Sequence, residues 1–162
     1  MRVSPFLPWI GVCVRFVAGG IWLVAGIAKL ADLTSFKQEV AAYDVAPSAL
    51  VDLVAYGLPF FEVALGIYLL VGLLVRPAAL FSTALMLLFI GVQAQGWARG
   101  LAIDCGCFGG LSKETVGAGT IVRDVLLTIP SVLLLLKPAR HLSLDRRLLG
   151  RADRFAFRGT AR

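Results

Sequence analysis

Two cysteines, Cys105 and Cys107, are the residues of this chain best suited to chemistry, because only Gly106 separates them. Thiols this close either bind a metal together or form a disulfide with each other. A structural zinc site normally takes four sulfur or imidazole ligands. The single histidine, His141, lies in a basic C-terminal tail. This tail is predicted to lie on the opposite side of a membrane from the two cysteines. The pattern therefore favours redox chemistry and predicts no metal.

The surrounding stretch, Asp104-Cys105-Gly106-Cys107-Phe108-Gly109-Gly110, favours an exchangeable disulfide. A Cys-Gly-Cys disulfide closes a very small ring, and Gly106 lacks the Cβ that would obstruct the sharp turn. Such a ring departs from relaxed disulfide geometry, and strained, exposed disulfides are the more oxidising and labile ones. The alternatives are a permanent staple across the turn, or two reduced thiols without a role.

The composition indicates that this thiol pair belongs to a membrane protein. Of 162 residues, 59% are hydrophobic and only 16% are charged, which is unlike a soluble globular domain. The net charge of +6 is concentrated in the C-terminal tail, where membrane topology and anionic lipid account for it. We therefore expect lipid head groups, and not nucleic acid, as the partner of this tail.

Four apolar runs predict an all-α, polytopic membrane four-helix bundle over residues 1–136. The predicted helices cover about 9–30, 48–75, 78–97 and 118–136. Residues 31–47 form a polar loop with a short surface helix, and Arg76-Pro77 marks a tight turn. The basic tail, residues 137–162, is predicted to be an interfacial amphipathic helix on anionic lipid, with a disordered tail that only sets topology as the alternative.

The distribution of Lys and Arg predicts the orientation in the cell membrane. The basic tail dominates the count, so it is expected in the cytoplasm. With four crossings, the N-terminus is then cytoplasmic as well, and the Cys-Gly-Cys loop faces outward. Disulfides persist on that side, whereas the cytosol keeps thiols reduced.

Arg123 and Asp124 are the ionisable residues best placed to face the cysteine loop, since they lie about 9 Å inside the fourth helix by helix rise. A cation beside Cys105 or Cys107 would lower the thiol pKa and favour the nucleophilic thiolate. Asp104 should instead disfavour a thiolate at Cys105. Cys107 is therefore predicted to face the partner, and Cys105 to resolve the mixed disulfide.

Other polar residues lie inside the first two helices. Glu62 is near the bilayer centre and is predicted to point into the bundle, where it could pair with Arg15. Lys29, at the end of the first helix, is expected to extend to the head groups. Cys13 is roughly a membrane thickness from the loop and is interpreted as a buried apolar filler.

Residues 9–136 resemble the methylamine-utilisation protein MauE family, within the wider DoxX-like membrane proteins. The resemblance rests on Arg15, Gly19, Trp22, Ala25-Gly26 and Lys29-Leu30, then Leu58-Pro59, Glu62, Gly66, Leu70 and Gly72, then Asp104-Cys105-Gly106-Cys107-Phe108-Gly109. The Cys-Gly-Cys-Phe-Gly loop is its specific part.

The resemblance implies a four-helix membrane protein with Cys105 and Cys107 as its redox pair. Glu62, Arg15 and Lys29 match the family as charges of unknown role. The family namesake is thought to assist maturation of the disulfide-rich small subunit of methylamine dehydrogenase. The layout is similar to that of membrane oxidoreductases that exchange disulfides with thioredoxin-fold partners.

Three functions follow as hypotheses. The first is a thiol-disulfide redox protein that exchanges disulfides with an exported thioredoxin-like protein. Since no haem or flavin motif is present, its electrons would leave through a lipid-soluble acceptor such as a quinone. The second is a non-catalytic assembly or anchoring subunit, and the third is a small transporter, which the lack of an inverted repeat disfavours.

Overall fold

The computed structural model describes residues 7–45, 47–107 and 114–137. Five helices lie in these ranges: α1 (Leu7–Ala31), α2 (Leu33–Ala42), α3 (Ser48–Val71), α4 (Val75–Ala98) and α5 (Ala118–Leu136). All but α2 are long and apolar enough to span a bilayer. This confirms the prediction of an all-α polytopic membrane protein. The basic tail beyond Lys137, including the predicted interfacial helix, lies outside the described residues.

The closest helix pair is α1 with α3, and glycines allow the approach. A Cβ added at Gly26 would lie 2.9 Å from the Pro59 carbonyl oxygen, and one added at Gly66 would lie 2.9 Å from the Gly19 oxygen. Small residues let membrane helices pack backbone to backbone in this way. The register of α1 against α3 follows from these contacts.

The turn between α3 and α4 comes earlier than predicted. α3 ends at Val71, and Gly72 takes a left-handed conformation with φ 73° after it. α4 then begins at Val75, so Arg76 and Pro77 lie in its first turn and do not form the connection. Proline is tolerated there because the first N–H groups of a helix have no intrahelical acceptor.

The polar segment after α1 contains the predicted short helix. Asp32 caps α2 by accepting a hydrogen bond from the Ser35 backbone N–H at 2.9 Å. Lys37 of α2 pairs with Asp52 near the start of α3. The residue after α2, Tyr43, is buried with Cys105 and Val116. α2 and Tyr43 therefore connect the end of the α1–α3 pair to the cysteine loop.

The middle of the bundle contains polar contacts as well as apolar packing. Trp22, Leu69 and Leu134 belong to the central apolar cluster. The Trp22 indole N–H donates to Ser82, whose hydroxyl also bonds to Ser131. These bonds join α1, α4 and α5 through buried side chains.

The structure corrects the expectations for Lys29 and Arg15. Lys29 does not extend to the head groups: it is fully buried, and its ammonium lies 2.7 and 2.9 Å from the two Glu62 oxygens. Arg15 is buried too, but it lies about 21 Å from Lys29 along α1 by helix rise. The predicted pairing of Arg15 with Glu62 is therefore wrong, whereas Glu62 does point into the bundle.

Cys13 also differs from the prediction, because its side chain is exposed on the outer surface of α1. Val12 and Arg15 occupy the inward-facing positions of that turn. In a membrane-spanning helix, an outward position faces lipid. Cys13 is therefore not a core filler.

Candidate functional site

A short backbone pairing holds the first cysteine in place. After α4, the Cys105 N–H donates to the Glu114 carbonyl at 2.9 Å, and the Val116 N–H donates to the Ile103 carbonyl at 2.9 Å. These bonds flank an isolated antiparallel bridge between Asp104 and Thr115. The chain entering α5 therefore fixes the Cys105 backbone.

Gly106 forms the sharp turn that the sequence predicted between the cysteines. Its φ of 70° lies in the left-handed region, which glycine adopts without steric cost. A Cβ at this position would also lie 2.8 Å from the Glu39 Oε2 atom of α2. Both backbone conformation and space thus favour glycine here.

Cys105 is the buried member of the pair, and its surroundings favour the thiolate. The Arg123 Nη2 atom donates to its Sγ at 3.4 Å. The hydrogen bond from Cys107 and the Arg123 charge lower the pKa of the Cys105 thiol to about 7, against the opposing effect of burial. Tyr43 donates its hydroxyl to the Cys105 carbonyl at 3.1 Å, which steadies the turn.

Cys107 is half-buried, and its surroundings favour the protonated thiol. Its Sγ donates to Asp124 Oδ2 at 3.1 Å and accepts from Gln93 Nε2 at 3.2 Å. The hydrogen bond to Cys105, followed by burial and the Asp124 charge, raises the pKa of the Cys107 thiol. The two cysteines therefore differ: Cys105 is the better thiolate, and Cys107 is the less buried residue.

The expectation that Asp104 disfavours a thiolate at Cys105 is wrong. Asp104 is exposed to solvent at the bridge with Thr115, and the carboxylate that opposes the Cys105 thiolate is that of Asp124. Arg123 contacts the sulfur directly and acts in the opposite sense. Phe108 and the glycines after it, which were expected to leave Cys107 open to a partner, lie outside the described residues.

Arg123 and Asp124 of α5 do face the loop, as predicted. The Arg123 Nε atom donates to Asp124 Oδ1 at 2.9 Å, and its Nη1 atom pairs with the exposed Glu114. Gln93 of α4 donates to the other Asp124 oxygen. The Asp124 carboxylate is thus buried and oriented from two sides.

Sequence reasoning missed three residues of this site: Gln93, Tyr43 and Glu39. Gln93 had a usable signal, since it is a polar residue near the end of an apolar run. Tyr43 and Glu39 lie in a polar segment where nothing in the local pattern distinguishes them. α2 brings both residues to the cysteines.

Glu39 has an unusual environment for a carboxylate beside two thiols. Its Oε2 atom is buried without a hydrogen-bond partner among the described residues. Burial, followed by the nearby Asp104 charge, raises the pKa of Glu39. The carboxylate beside the Cys-Gly-Cys turn therefore keeps its proton to a higher pH than an exposed glutamate does.

The site also contains a set of potential metal ligands. The Cys105 and Cys107 sulfurs and a carboxylate oxygen of Asp124 all lie within 4.8 Å of one another. The sequence-based prediction of no metal considers only sulfur and imidazole donors. Asp124 is the donor that it omits.

A second polar cluster lies within the bundle. The Lys29 ammonium that binds Glu62 is 5.3 Å from the centre of the Phe36 ring and 5.2 Å from that of Phe89. Phe89 precedes Gln93 by about one turn of α4. The ion pair therefore lies beneath the thiol site, on the same side of the bundle.

The fold and site together define a small polytopic membrane protein with a thiol pair at one end of its helical bundle. The chain matches the family described as Methylamine utilisation protein MauE over residues 7–137. It is 32% identical over 127 residues to a protein called Methylamine utilization protein MauE from Paracoccus denitrificans, a match that covers 78% of this chain and 67% of that protein. No solved structure matches. The chain belongs to the MauE family.

Proposed function

We propose that this protein is a membrane thiol-disulfide oxidoreductase that exchanges disulfides with an exported thioredoxin-fold protein through Cys105 and Cys107. The single observation that carries the proposal is the electrostatic difference between the sulfurs. Cys105 lies against the Arg123 guanidinium, and Cys107 lies against the Asp124 carboxylate. A permanent structural disulfide has no need of a cation that stabilises one of its thiolates.

In the first step, a thiolate of the reduced partner attacks Cys107 Sγ of the Cys105–Cys107 disulfide. A partner–Cys107 bond forms, the Cys105–Cys107 bond breaks, and Cys105 leaves as a thiolate. A leaving thiol with a lower pKa leaves faster, and the Arg123 guanidinium, whose Nη2 atom lies 3.4 Å from Cys105 Sγ, stabilises the departing thiolate. Cys107 is the less buried of the two residues, so we place the attack of the partner on its sulfur.

In the second step, the other thiolate of the partner attacks the partner sulfur of the mixed disulfide. The partner becomes a disulfide, and Cys107 leaves and takes up a proton beside Asp124. Two electrons then reside in the Cys105–Cys107 pair. Reversal of both steps reduces the partner.

Repeated oxidation of partners requires an acceptor for two electrons and two protons. We propose a lipid-soluble quinone, because the thiol pair lies at the end of the membrane-spanning helices α4 and α5. The orientation that suits this chemistry has the Cys-Gly-Cys loop on the extracytoplasmic side and both termini in the cytoplasm. The excess of arginine in the tail supports that orientation.

The name of the Paracoccus relative connects that protein to methylamine utilisation. For this chain, we propose a role in the maturation of an extracytoplasmic protein with disulfides, of the kind represented by the small subunit of methylamine dehydrogenase. The thioredoxin-fold partner would carry oxidising equivalents from this membrane protein to the extracytoplasmic protein that matures.

Trapping of the mixed disulfide tests the proposal. Cys105→Ser removes the resolving thiol, so Cys107 should capture an oxidised thioredoxin-fold partner as a covalent adduct on non-reducing gels. Cys107→Ser should trap much less, and Cys13→Ser serves as the control with normal behaviour. Mass spectrometry of the shifted band identifies the partner and the linked cysteine.

The opposite results are also informative. An adduct found mainly in Cys107→Ser would reverse the roles of the two sulfurs but keep the redox function. No adduct in either variant, with full partner maturation in the double serine variant, would contradict the proposal. The loop would then be a structural turn in an assembly subunit.

A further inference from the structure

The thiol site has the donors and the spacing of an incomplete tetrahedral metal site. Zinc binds thiolate at about 2.3 Å and carboxylate at about 2.0–2.2 Å, so neighbouring donors in a tetrahedral site lie roughly 3.5–3.8 Å apart. The Cys105, Cys107 and Asp124 donor atoms already lie within 4.8 Å of one another. Small side-chain rotations would bring them to the required spacing.

The carboxylate of this set is supported in the way that metal ligands are. Gln93 donates to one oxygen of Asp124, and Arg123 donates to the other. Ligating carboxylates are usually held by such outer hydrogen bonds. Asp124 is 2% exposed, so its orientation is determined by these partners and not by solvent.

The charges of the site also suit a divalent cation. Two thiolates and one carboxylate carry three negative charges, and a divalent ion with the Arg123 guanidinium compensates them. A divalent ion between the three donor atoms would offset the repulsion among them in this buried pocket.

We propose that the reduced Cys105–Cys107 pair and Asp124 form a binding site for Zn²⁺, with a fourth coordination position open to water or to an incoming ligand. Zn²⁺ accepts mixed sulfur and oxygen ligands and needs no redox change. The site exists only in the dithiol state, because a disulfide removes both sulfur donors. Zn²⁺ binding is thus an additional property of the site and does not depend on the partner proposed above.

Metal titration of the full chain in lipid nanodiscs tests the proposal. The protein is reduced, stripped with a chelator, and titrated with Zn²⁺ in competition with a chromophoric chelator. We expect one Zn²⁺ per chain. Loss of a group that only supports a metal ligand typically weakens metal affinity about 10–100-fold. Asp124→Asn removes a proposed ligand itself, so its affinity should fall by about that much or more. Gln93→Ala should weaken binding as well.

Matched variants distinguish a specific Zn²⁺ site from non-specific binding of Zn²⁺ to thiols. Asp44→Asn removes an exposed acid at the same end of the bundle, and Cys13→Ser removes the thiol outside the site. Both should bind as the unmodified protein does. Asp124→Asn must still react with a thiol reagent at both cysteines, which shows that both sulfur donors remain reduced and available. Substitution with Co²⁺ should produce sulfur-to-metal charge-transfer absorption that disappears on oxidation.

Three results would overturn the proposal: no Zn²⁺ retained by the reduced protein, equal affinity in Asp124→Asn, or undiminished binding after the disulfide forms. Any of these can occur while Cys105→Ser still traps a thioredoxin-fold partner. Conversely, Zn²⁺ binding without trapping would contradict only the redox function. The two proposals therefore fail independently.

Discussion

The Lys29 ammonium of α1 donates to both carboxylate oxygens of Glu62 in α3, and neither side chain is exposed. The Phe36 and Phe89 rings flank the ammonium. This ion pair is enclosed by the α1–α3 packing that Gly26 and its neighbours allow. Each charge is tolerated in the apolar interior because the other is present.

Removal of one member of this pair should destabilise the protein strongly. Glu62→Gln leaves an uncompensated buried ammonium, and loss of one partner from a buried pair typically costs about 3–5 kcal/mol. The free energy of unfolding in mixed micelles with increasing denaturing detergent measures this loss. Lys29→Met should have an effect of similar size.

The double variant Lys29→Met/Glu62→Leu distinguishes a pair effect from simple damage to the core. Since two apolar residues leave no buried charge, most of the lost stability should return. Lys37→Met, at the exposed pair with Asp52, is the control and should change stability little. Additive losses in the double variant would refute the interpretation.

The reactivity of Cys105 should depend on pH with a midpoint near 7. A lowered pKa means that the thiolate persists down to that pH and is lost below it. In a Cys13→Ser background, the alkylation rate of Cys105 by a small thiol reagent, assigned by mass spectrometry, measures the midpoint.

Variants at Cys107 test the cause of the low Cys105 pKa. Cys107→Ala removes the hydrogen-bond donor, so the Cys105 midpoint should rise toward the ordinary value of about 8.5. Cys107→Ser keeps a hydrogen-bond donor, so the Cys105 midpoint should rise less in this variant. Arg123→Met should also raise the midpoint. Identical pH profiles in all four proteins would show that neither contact sets the pKa.

Gly106→Ala should destabilise the cysteine turn. A residue with a Cβ costs about 1–2 kcal/mol in the left-handed region, and the new methyl group would also meet Glu39 Oε2. Gly119→Ala is the matched control, because nothing lies within 4 Å of a Cβ at that position. Unfolding measurements compare the two.

A second substitution separates the two effects at Gly106. Glu39→Ala in combination with Gly106→Ala removes the contact but leaves the positive φ. We expect partial recovery only. Full recovery would mean that the contact, and not the backbone conformation, accounts for the loss.

Glu39→Gln should stabilise the protein at neutral pH. The pKa of Glu39 is raised in the folded state, so the folded protein favours the protonated acid. The stability that Glu39 contributes is fully present below the pKa that this residue has in the unfolded chain. It is lost as the pH rises through the higher pKa that Glu39 has in the folded protein. The neutral amide avoids that loss.

The pH dependence of the unfolding midpoint checks the Glu39 prediction. The difference between Glu39→Gln and the unmodified chain should be largest at neutral pH and should shrink in acid. Asp44→Asn, at an exposed position, should show no such trend. A difference that is constant with pH would point to packing instead of ionisation.

Several features could be predicted from the sequence because they depend on local properties. Apolar runs must become helices in a bilayer, since every backbone group has to be hydrogen-bonded within the segment. The position of Gly106 between two cysteines indicated a sharp turn. Helix rise alone was enough to bring Arg123 and Asp124 to the level of the loop.

Only the tertiary structure decided which of these residues meet. Lys29 binds Glu62 because glycines set the register of α1 against α3, and no local pattern encodes that register. Gln93 reaches Asp124 from another helix, and Glu39 of α2 lies beside Gly106, which is far from it in the sequence. Hydrophobic periodicity determines which segments become helices, but it leaves the rotation and offset of each helix open. The contacts between helices decide both, and with them the charges that surround the two thiols.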